Sequence, residues 1–202
     1  MTANQCTRCG TEVKHYNDSI MMLSENGHYV PVCLHCYNKE VSEAIGIEFD
    51  EIDLQPILLK DADGTDHTFH FFVRLMGVGL VLGAFEKEYE NRSGGYEFSI
   101  IGDIDEGVFF LFSKLYTRMC KALSRKHIYR DKTTNKWQIT KSDIVRGQIT
   151  YDPDTEEEDW TSDPMVIVDG KAIPWKVFGQ MLKKYEGFNF TLQIFDEGDE
   201  MD

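Results

Sequence analysis

The chain has 202 residues, 42% of them hydrophobic and 28% charged, a composition that supports a packed core and excludes global disorder. Its formal charge of -14 and pI of about 4.8 exclude a protein whose whole surface coats nucleic acid or an anionic membrane, though a local basic face stays open. Residues 1–8 are polar and lack the apolar core of a signal peptide, and the longest apolar run, 76–85, is far short of the ~20 residues that span a bilayer. The expectation is a soluble cytoplasmic protein with no membrane contact.

Four of the five cysteines fall in two pairs, Cys6-Thr-Arg-Cys9 and Cys33-Leu-His-Cys36. In a reducing compartment such pairs favour a metal over disulfides. Four thiolates suit a closed tetrahedral site for one structural zinc ion, with Cys6, Cys9, Cys33 and Cys36 as ligands and no position left for substrate. The gap between the pairs has room for a hairpin, with strands over 20–25 and 28–32 and Asn26-Gly27 as a type I′ turn. A helix over 37–45 follows, stopped by Gly46. The order of knuckle, hairpin and second knuckle opening a helix resembles a treble-clef zinc finger. His15, His28 and His35 lie nearby in sequence, but the sulfur set is complete without them.

Residues 48–55 read as an acidic linker. Strands over 56–60 and 67–75 flank a turn-rich loop, 61–66, and strands over 80–87 and 96–101 flank Asn91-Arg-Ser-Gly-Gly95. Two hairpins in succession predict an antiparallel sheet. Three motifs here fail on geometry. Asp61-x-Asp63-Gly64 lacks the glycine and glutamate spacing of a calcium loop. His67 and His70, three apart on a strand, point to opposite faces. Gly77-x-Gly79-x-x-x-Gly83 has the wrong spacing for a dinucleotide site, so packing accounts for it better. The longest helix is predicted over 105–126, capped by Asp103 or Asp105. Its Val108, Leu111, Phe112, Leu115, Met119, Ala122 and Leu123 should bury against the sheet. Cys120, the fifth cysteine, reads as a packing residue.

Charge is unevenly distributed. Residues 114–146 hold ten Lys or Arg against Asp131 and Asp143, a net +8, while the remainder holds 11 basic against 33 acidic residues, a net -22. Lys114, Arg118, Lys121 and Arg125 step by four, three and four, which lines them along one helix face. That stripe is either a solvated face or a docking surface for phosphate or an acidic partner.

Residues 152–163 form an acidic loop by composition, with seven acids in twelve positions. A strand over 165–168, a turn at Asp169-Gly170 and a helix starting near Pro174 follow. That helix buries Val177, Phe178, Met181, Leu182 and Tyr185. Phe188, Phe190, Leu192 and Ile194 then alternate with Asn189, Thr191 and Gln193, the pattern of a half-buried strand. An acidic tail, 196–202, ends the chain.

The whole chain resembles an uncharacterised bacterial family, a four-cysteine zinc-finger domain fused to an α+β domain of unknown function. The residues that carry the resemblance are the two cysteine pairs with Tyr37-Asn38, and Leu59-Lys-Asp-Ala-Asp-Gly-Thr-Asp-His-Thr-Phe-His-Phe71. Gly95-Tyr96, Arg146-Gly147, Val168-Asp-Gly-Lys171 and Tyr185-Glu-Gly-Phe188 complete the set. The resemblance implies zinc and a bacterial or bacteriophage setting, and it carries no activity.

The expected architecture is therefore α+β. A treble-clef-like finger (1–47) precedes an antiparallel sheet packed on one long helix, with a strand-turn-helix-strand module at the end (48–202). The leading functional expectation is a zinc-binding adaptor that engages a macromolecular partner, protein ahead of nucleic acid. The alternative is a nucleic-acid binder using Lys114, Arg118, Lys121 and Arg125. The third is an enzyme of unidentified class in which Asp103, Asp105 and Glu106 converge with His67, His70 or His127. Against that third reading, no Gly-x-Ser-x-Gly, His-Glu-x-x-His or phosphate loop is present.

Overall fold

A hairpin of β1 (Ser19–Leu23) and β2 (Tyr29–Cys33) runs without a break into helix α1 (Leu34–Ile45). The computed structural model describes residues 5–13, 16–50, 52–77, 79–86, 94–151 and 163–196. The acidic loop 152–163 and the acidic tail 196–202 lie outside the described residues, apart from Asp163 and Asp196. The β1–β2 turn differs from the two-residue type expected. Ser24 donates both its N–H and its hydroxyl to the His28 carbonyl, at 2.8 and 2.7 Å, so the loop holds three residues, 25–27, and Leu23 pairs with Tyr29. Gly27 takes a φ of 77° while Asn26 stays out of the left-handed region that a type I′ turn demands at both central residues. α1 ends where expected: Gly46, at φ 72°, and Ile47 both donate to the Ser42 carbonyl.

Four strands then form an antiparallel sheet in the order β3 (Ile57–Lys60), β4 (Asp66–Met76), β5 (Gly79–Glu86), β6 (Glu97–Asp103). The register pairs Leu75 with Leu80 and Leu82 with Ile100. One face thus collects Phe69, Leu75, Leu80, Leu82, Ala84 and Ile100. Helix α2 (Val108–Leu123) covers that face with Leu111, Leu115, Met119 and Leu123, all buried. The helix is shorter than expected. Gly107, at φ 80°, breaks the helical run, so Asp105 and Glu106 fall in a separate 3-10 turn (Ile104–Glu106). Asp103 precedes that turn, and neither terminus gains a side-chain cap. Residues 48–55 are less of a linker than their acidity suggests, since Phe49 and Leu54 pack on the sheet's core. Gly83 is a packing glycine: a Cβ there would lie 2.1 Å from the Phe72 ring.

After α2 come a small hairpin, β7 (Ile128–Arg130) with β8 (Trp137–Ile139), and a three-stranded antiparallel sheet. Its order is β11 (Lys171–Pro174), β10 (Met165–Val168), β9 (Gln148–Thr150). Helix α3 (Trp175–Met181) continues as a 3-10 turn (Leu182–Tyr185). Ile128, Ile139, Val166, Val168, Ile173 and Met181 form a second core. Asp169 and Gly170, at φ 50° and 71°, make the tight turn between β10 and β11. The architecture is α+β with antiparallel sheets. One expected element is missing: residues 188–194 belong to no strand, and Phe188, Phe190, Leu192 and Ile194 are exposed. Alternation specifies a face, but a strand also needs a partner, and this segment pairs with none of the described strands. Among the described residues no helix is long and apolar enough to cross a membrane.

Helix side chains hold the outer side of β6 and the part of β4 that β3 does not reach. β4 pairs with β3 only through Asp66–Phe69, so its second half has an open side. There Asn38 of α1 donates to the Val73 carbonyl (2.8 Å) and accepts from the Leu75 N–H (2.9 Å), as a neighbouring strand would. On the edge strand β6, Arg118 of α2 donates to the Ser99 carbonyl at 2.9 Å. An Asn38→Ala substitution strands two backbone groups beside a buried side chain and should cost about 2–4 kcal/mol in urea unfolding. Asn38→Asp keeps the acceptor for Leu75 and loses the donor for Val73, so its midpoint should fall between wild type and alanine.

Candidate metal centre

The first cysteine pair sits on a tight turn. Gly10 donates to the Cys6 carbonyl (2.9 Å) and adopts a φ of 75°, which a side chain would disfavour. The second pair is placed by the junction of β2 and α1. Cys33 is the last residue of β2 and the N-cap of α1, and Cys36 lies in the helix's first turn. Free N–H groups and the helix dipole favour anionic sulfur there. The hairpin carries this pair back onto the first, since Thr7 N–H donates to the Pro31 carbonyl at 2.9 Å. Arg8 Nε, 2.6 Å from Glu40 Oε1, ties the turn to α1.

The Sγ atoms of Cys6, Cys9, Cys33 and Cys36 all lie within 4.8 Å of one another, an arrangement that could hold a metal ion. Cys9 Sγ and Cys33 Sγ are 3.7 Å apart. Cys6 is buried, Cys33 and Cys36 are half-buried, and Cys9 is exposed. Val13 and Val32 are buried around them, with Met22 and Tyr37 packed alongside. Burial opposes the Cys6 thiolate, but the N–H groups of Cys33, Cys9 and Arg8 outweigh it and bring the thiol down to about 6. Cys9 is also lowered, chiefly by the Thr11 hydroxyl. Burial raises Cys33 and Cys36, and for Cys36 the neighbouring sulfurs push in the same direction. His28 and His35 are exposed and outside the sulfur group, and His15 lies outside the described residues.

The other sequence candidates are dispersed. Lys114 pairs with Glu106 at 3.2 Å and stands 4.4 Å from the Phe110 ring centroid. Arg118 is half-buried against Ser99, while Lys121 and Arg125 are exposed at the far end of α2. Asp103, Asp105 and Glu106 line an open cleft with Ile45, Ile47 and Ile104. His67 and His127 face elsewhere: His67 meets Asp61 and Glu86, and His127 Nδ1 lies 2.9 Å from the Ile144 carbonyl. His70 packs on Phe85. Cys120 is half-buried on α2.

A second polar cluster was not legible in the sequence. Asp61 Oδ1 accepts from the N–H groups of Asp63 and Thr65, folding the loop around its own carboxylate. Its Oδ2 lies 2.6 Å from Lys126 Nζ and 3.1 Å from His67 Nε2. His67 Nδ1 is 2.6 Å from Glu86 Oε1, and Glu86 Oε2 accepts from the Tyr96 N–H. Tyr96 packs edge-on against His67 and under Gly170. Close by in the chain, Asp169 Oδ2 takes the N–H groups of His127 and Ile128, at 2.7 and 2.8 Å.

Three family models match successive parts of the chain. Each is described as a domain of unknown function: DUF7685 over residues 5–48, DUF7686 over 50–124 and DUF7713 over 127–199. No curated protein and no solved structure matches. The DUF7685 segment holds all four clustered cysteines, the DUF7686 segment holds the four-stranded sheet with α2, and the DUF7713 segment holds β7 to β11 with α3. Lys126 falls between the last two matches. It joins Asp61 of the DUF7686 segment at the point where Asp169 of the DUF7713 segment grips the start of β7.

Burial pushes the Asp61 carboxyl up, but Lys126, His67 and the Thr65 N–H overcome it and hold the group well below its usual 3.8. Burial raises Tyr96 to about 12. Burial lowers Lys126, but Asp61 and Tyr96 more than compensate and raise it. A depressed carboxyl stabilises the fold fully above 3.8 and loses that contribution as the pH falls below it. The raised Tyr96 and Lys126 contribute below about pH 10 and lose it above. Asp61→Ala should therefore cost about 3–5 kcal/mol at neutral pH, because it leaves Lys126 facing a buried site without its partner. In acid titrations of stability the variant should also show a shallower decline than wild type below pH 3.8.

Proposed function

We propose that this chain is a cytoplasmic adaptor of bacterial or bacteriophage origin, built on one structural zinc ion, that engages a macromolecular partner. The four-sulfur cluster is the observation that carries the reading. Zinc–thiolate bonds of about 2.3 Å in a tetrahedron imply sulfur–sulfur separations of about 3.8 Å, close to the 3.7 Å between Cys9 and Cys33. Four sulfur donors suit zinc and close its coordination sphere, so the ion holds structure and does no chemistry. The knuckle, hairpin and helix order supports a treble-clef finger, here as a domain over 1–47 ahead of an α+β domain over 48–202.

The partner half of the reading rests on α2. Its outer surface exposes Phe109, Phe110 and Tyr116 on the same helix as Lys114 and Lys121, with Arg125 two residues past the helix end. Aromatic side chains beside cations are the composition of protein interfaces more than of idle surface. A protein with an acidic recognition surface fits this face and the segregated charge. A nucleic acid is the second reading, using Lys114, Arg118, Lys121 and Arg125. It is supported by the same cations and weakened by Arg118, which is engaged with Ser99.

The purified chain should carry one zinc per molecule by elemental analysis. Cys33→Ser, or a strong chelator, should remove it and lower the unfolding midpoint, since apo four-cysteine modules lose their folding energy with the metal. For the partner, affinity capture from native host lysate with nuclease treatment as control is the direct measurement. Phe110→Ser combined with Lys121→Glu and Arg125→Glu should reduce capture at least about tenfold. These exposed positions should change stability by only about 0.5 kcal/mol. Capture that disappears with nuclease and falls steeply with salt would transfer the assignment to nucleic acid.

A further inference from the structure

We propose that residues 188–195 form a β-strand only in a dimer, by adding to the outer side of β9 in a second copy of this chain. The segment has the strand pattern without a strand's partner. Phe188, Phe190, Leu192 and Ile194 are 72%, 88%, 71% and 71% exposed, and Asn189, Thr191 and Gln193 alternate with them. Phe188 meets the Tyr185 ring edge-on at 5.8 Å, yet all four large apolar side chains at these alternating positions stay mostly exposed and call for an occupant.

β9 offers the matching edge. Among the described residues it pairs with β10 alone. Ile149 stands opposite Val166, a buried member of the second core, yet Ile149 is 56% exposed. Tyr151, two residues on and thus on the same face, is 66% exposed. The core therefore ends unfinished at β9, and an added strand with its apolar face on that side would cover Ile149 and Tyr151. Three other edges are engaged: β6 through Arg118, the second half of β4 through Asn38, and β11 through a bridge between Lys171 and Gly94. β3 also pairs on one side alone among the described residues, but its Ile57 and Leu59 pack on the first core, which leaves Leu58 as its one exposed large apolar side chain.

Charge fixes the direction. The donated strand runs into Asp196, Glu197, Asp199, Glu200 and Asp202 in sequence, and β9 is preceded by Lys132, Lys136, Lys141 and Arg146. Antiparallel addition brings Asp196, at the end of the donor, to the start of β9, which Arg146 precedes by two residues. Each copy carries one donor and one acceptor, so reciprocal exchange closes a two-fold dimer. Two phenylalanines bury roughly 300–500 Å² per donated strand. With Leu192, Ile194 and the two-fold doubling, the total reaches the ~1,000 Å² that a specific interface needs. The inference depends neither on zinc nor on the α2 face.

The test is the solution mass of the full-length, metal-loaded chain by sedimentation equilibrium. Wild type should run at twice 23.3 kDa. Phe190→Asp with Leu192→Asp, at exposed positions, should weaken the dimer at least about 100-fold with an unchanged circular dichroism spectrum. Ile149→Asp should do the same from the acceptor side. Mixing these two variants should restore association, because one intact donor then meets one intact acceptor. A wild-type monomer at about 100 µM would overturn the proposal. So would a dimer indifferent to both sets of substitutions, or a failure of the mixed variants to associate.

Discussion

Four sulfur atoms drawn within 4.8 Å of one another are the constraint on which the amino-terminal third depends. As thiolates they repel: two unit charges 4 Å apart cost about 4 kcal/mol at the effective dielectric of a protein surface. Burial raises Cys33 and Cys36, with the other three sulfurs adding to the rise at Cys36, while hydrogen bonds lower Cys6 and Cys9. A cation held by the four sulfurs would remove that penalty at the junction of β2 and α1, because Cys33 belongs to both. Asn38 follows Cys33 by five residues, little more than one helical turn. The aim of α1 that the cluster sets is therefore the aim that lets Asn38 replace a strand beside Val73 and Leu75. Sulfur cluster and sheet edge are two ends of one short lever.

Satisfying strand edges is the theme that unites the rest. Natural sheets blunt exposed edges with side chains, bulges or covering helices. Here the device is one polar side chain from a helix. Asn38 serves β4, Arg118 serves β6, and Lys184 donates to the Ile139 carbonyl at the end of β8. β9, like β3, keeps an unpaired side among the described residues, and it has apolar neighbours and a glycine before it whose Cβ would lie 2.3 Å from the Ile167 carbonyl. Gly147 lets β9 approach β10 closely, so the open edge is held in place by packing.

The legible parts of the fold were those set by local pattern. Period-two alternation located β3 to β6 within a few residues, and period 3.6 picked out Leu111, Leu115, Met119 and Leu123 as the buried stripe of α2. Cysteine spacing picked out the sulfur set. What escaped was set by distance along the chain. β7, β8 and β9 have three residues each, too few to carry a period. The network of Asp61, His67, Glu86, Tyr96 and Lys126 spans 65 positions, and no short motif joins its members. The turn at 24–28 escaped for another reason: Asn26-Gly27 favours a type I′ turn, but the Ser24 hydroxyl stabilises the wider loop. The 188–194 strand was read correctly as a pattern and wrongly as an element, because alternation does not supply the neighbouring edge.

The uneven charge is partly internal. Of the ten cations in 114–146, Lys114 answers Glu106, Arg118 holds β6, and Lys126 neutralises Asp61. Arg130 reaches the Asn135 carbonyl and lies near the Trp137 ring. These four are accounted for by the fold. Lys121, Arg125, Lys132, Lys136 and Lys141 are exposed. Lys121 also complements the negative end of the α2 dipole, a benefit that needs no partner. The part of the +8 segment that faces outward is thus smaller than the sequence suggests and is confined to the end of α2 and the loops of β7 to β9. On the adaptor reading proposed above, a patch of that size suits an acidic segment better than a nucleic acid, whose affinity grows with each phosphate neutralised.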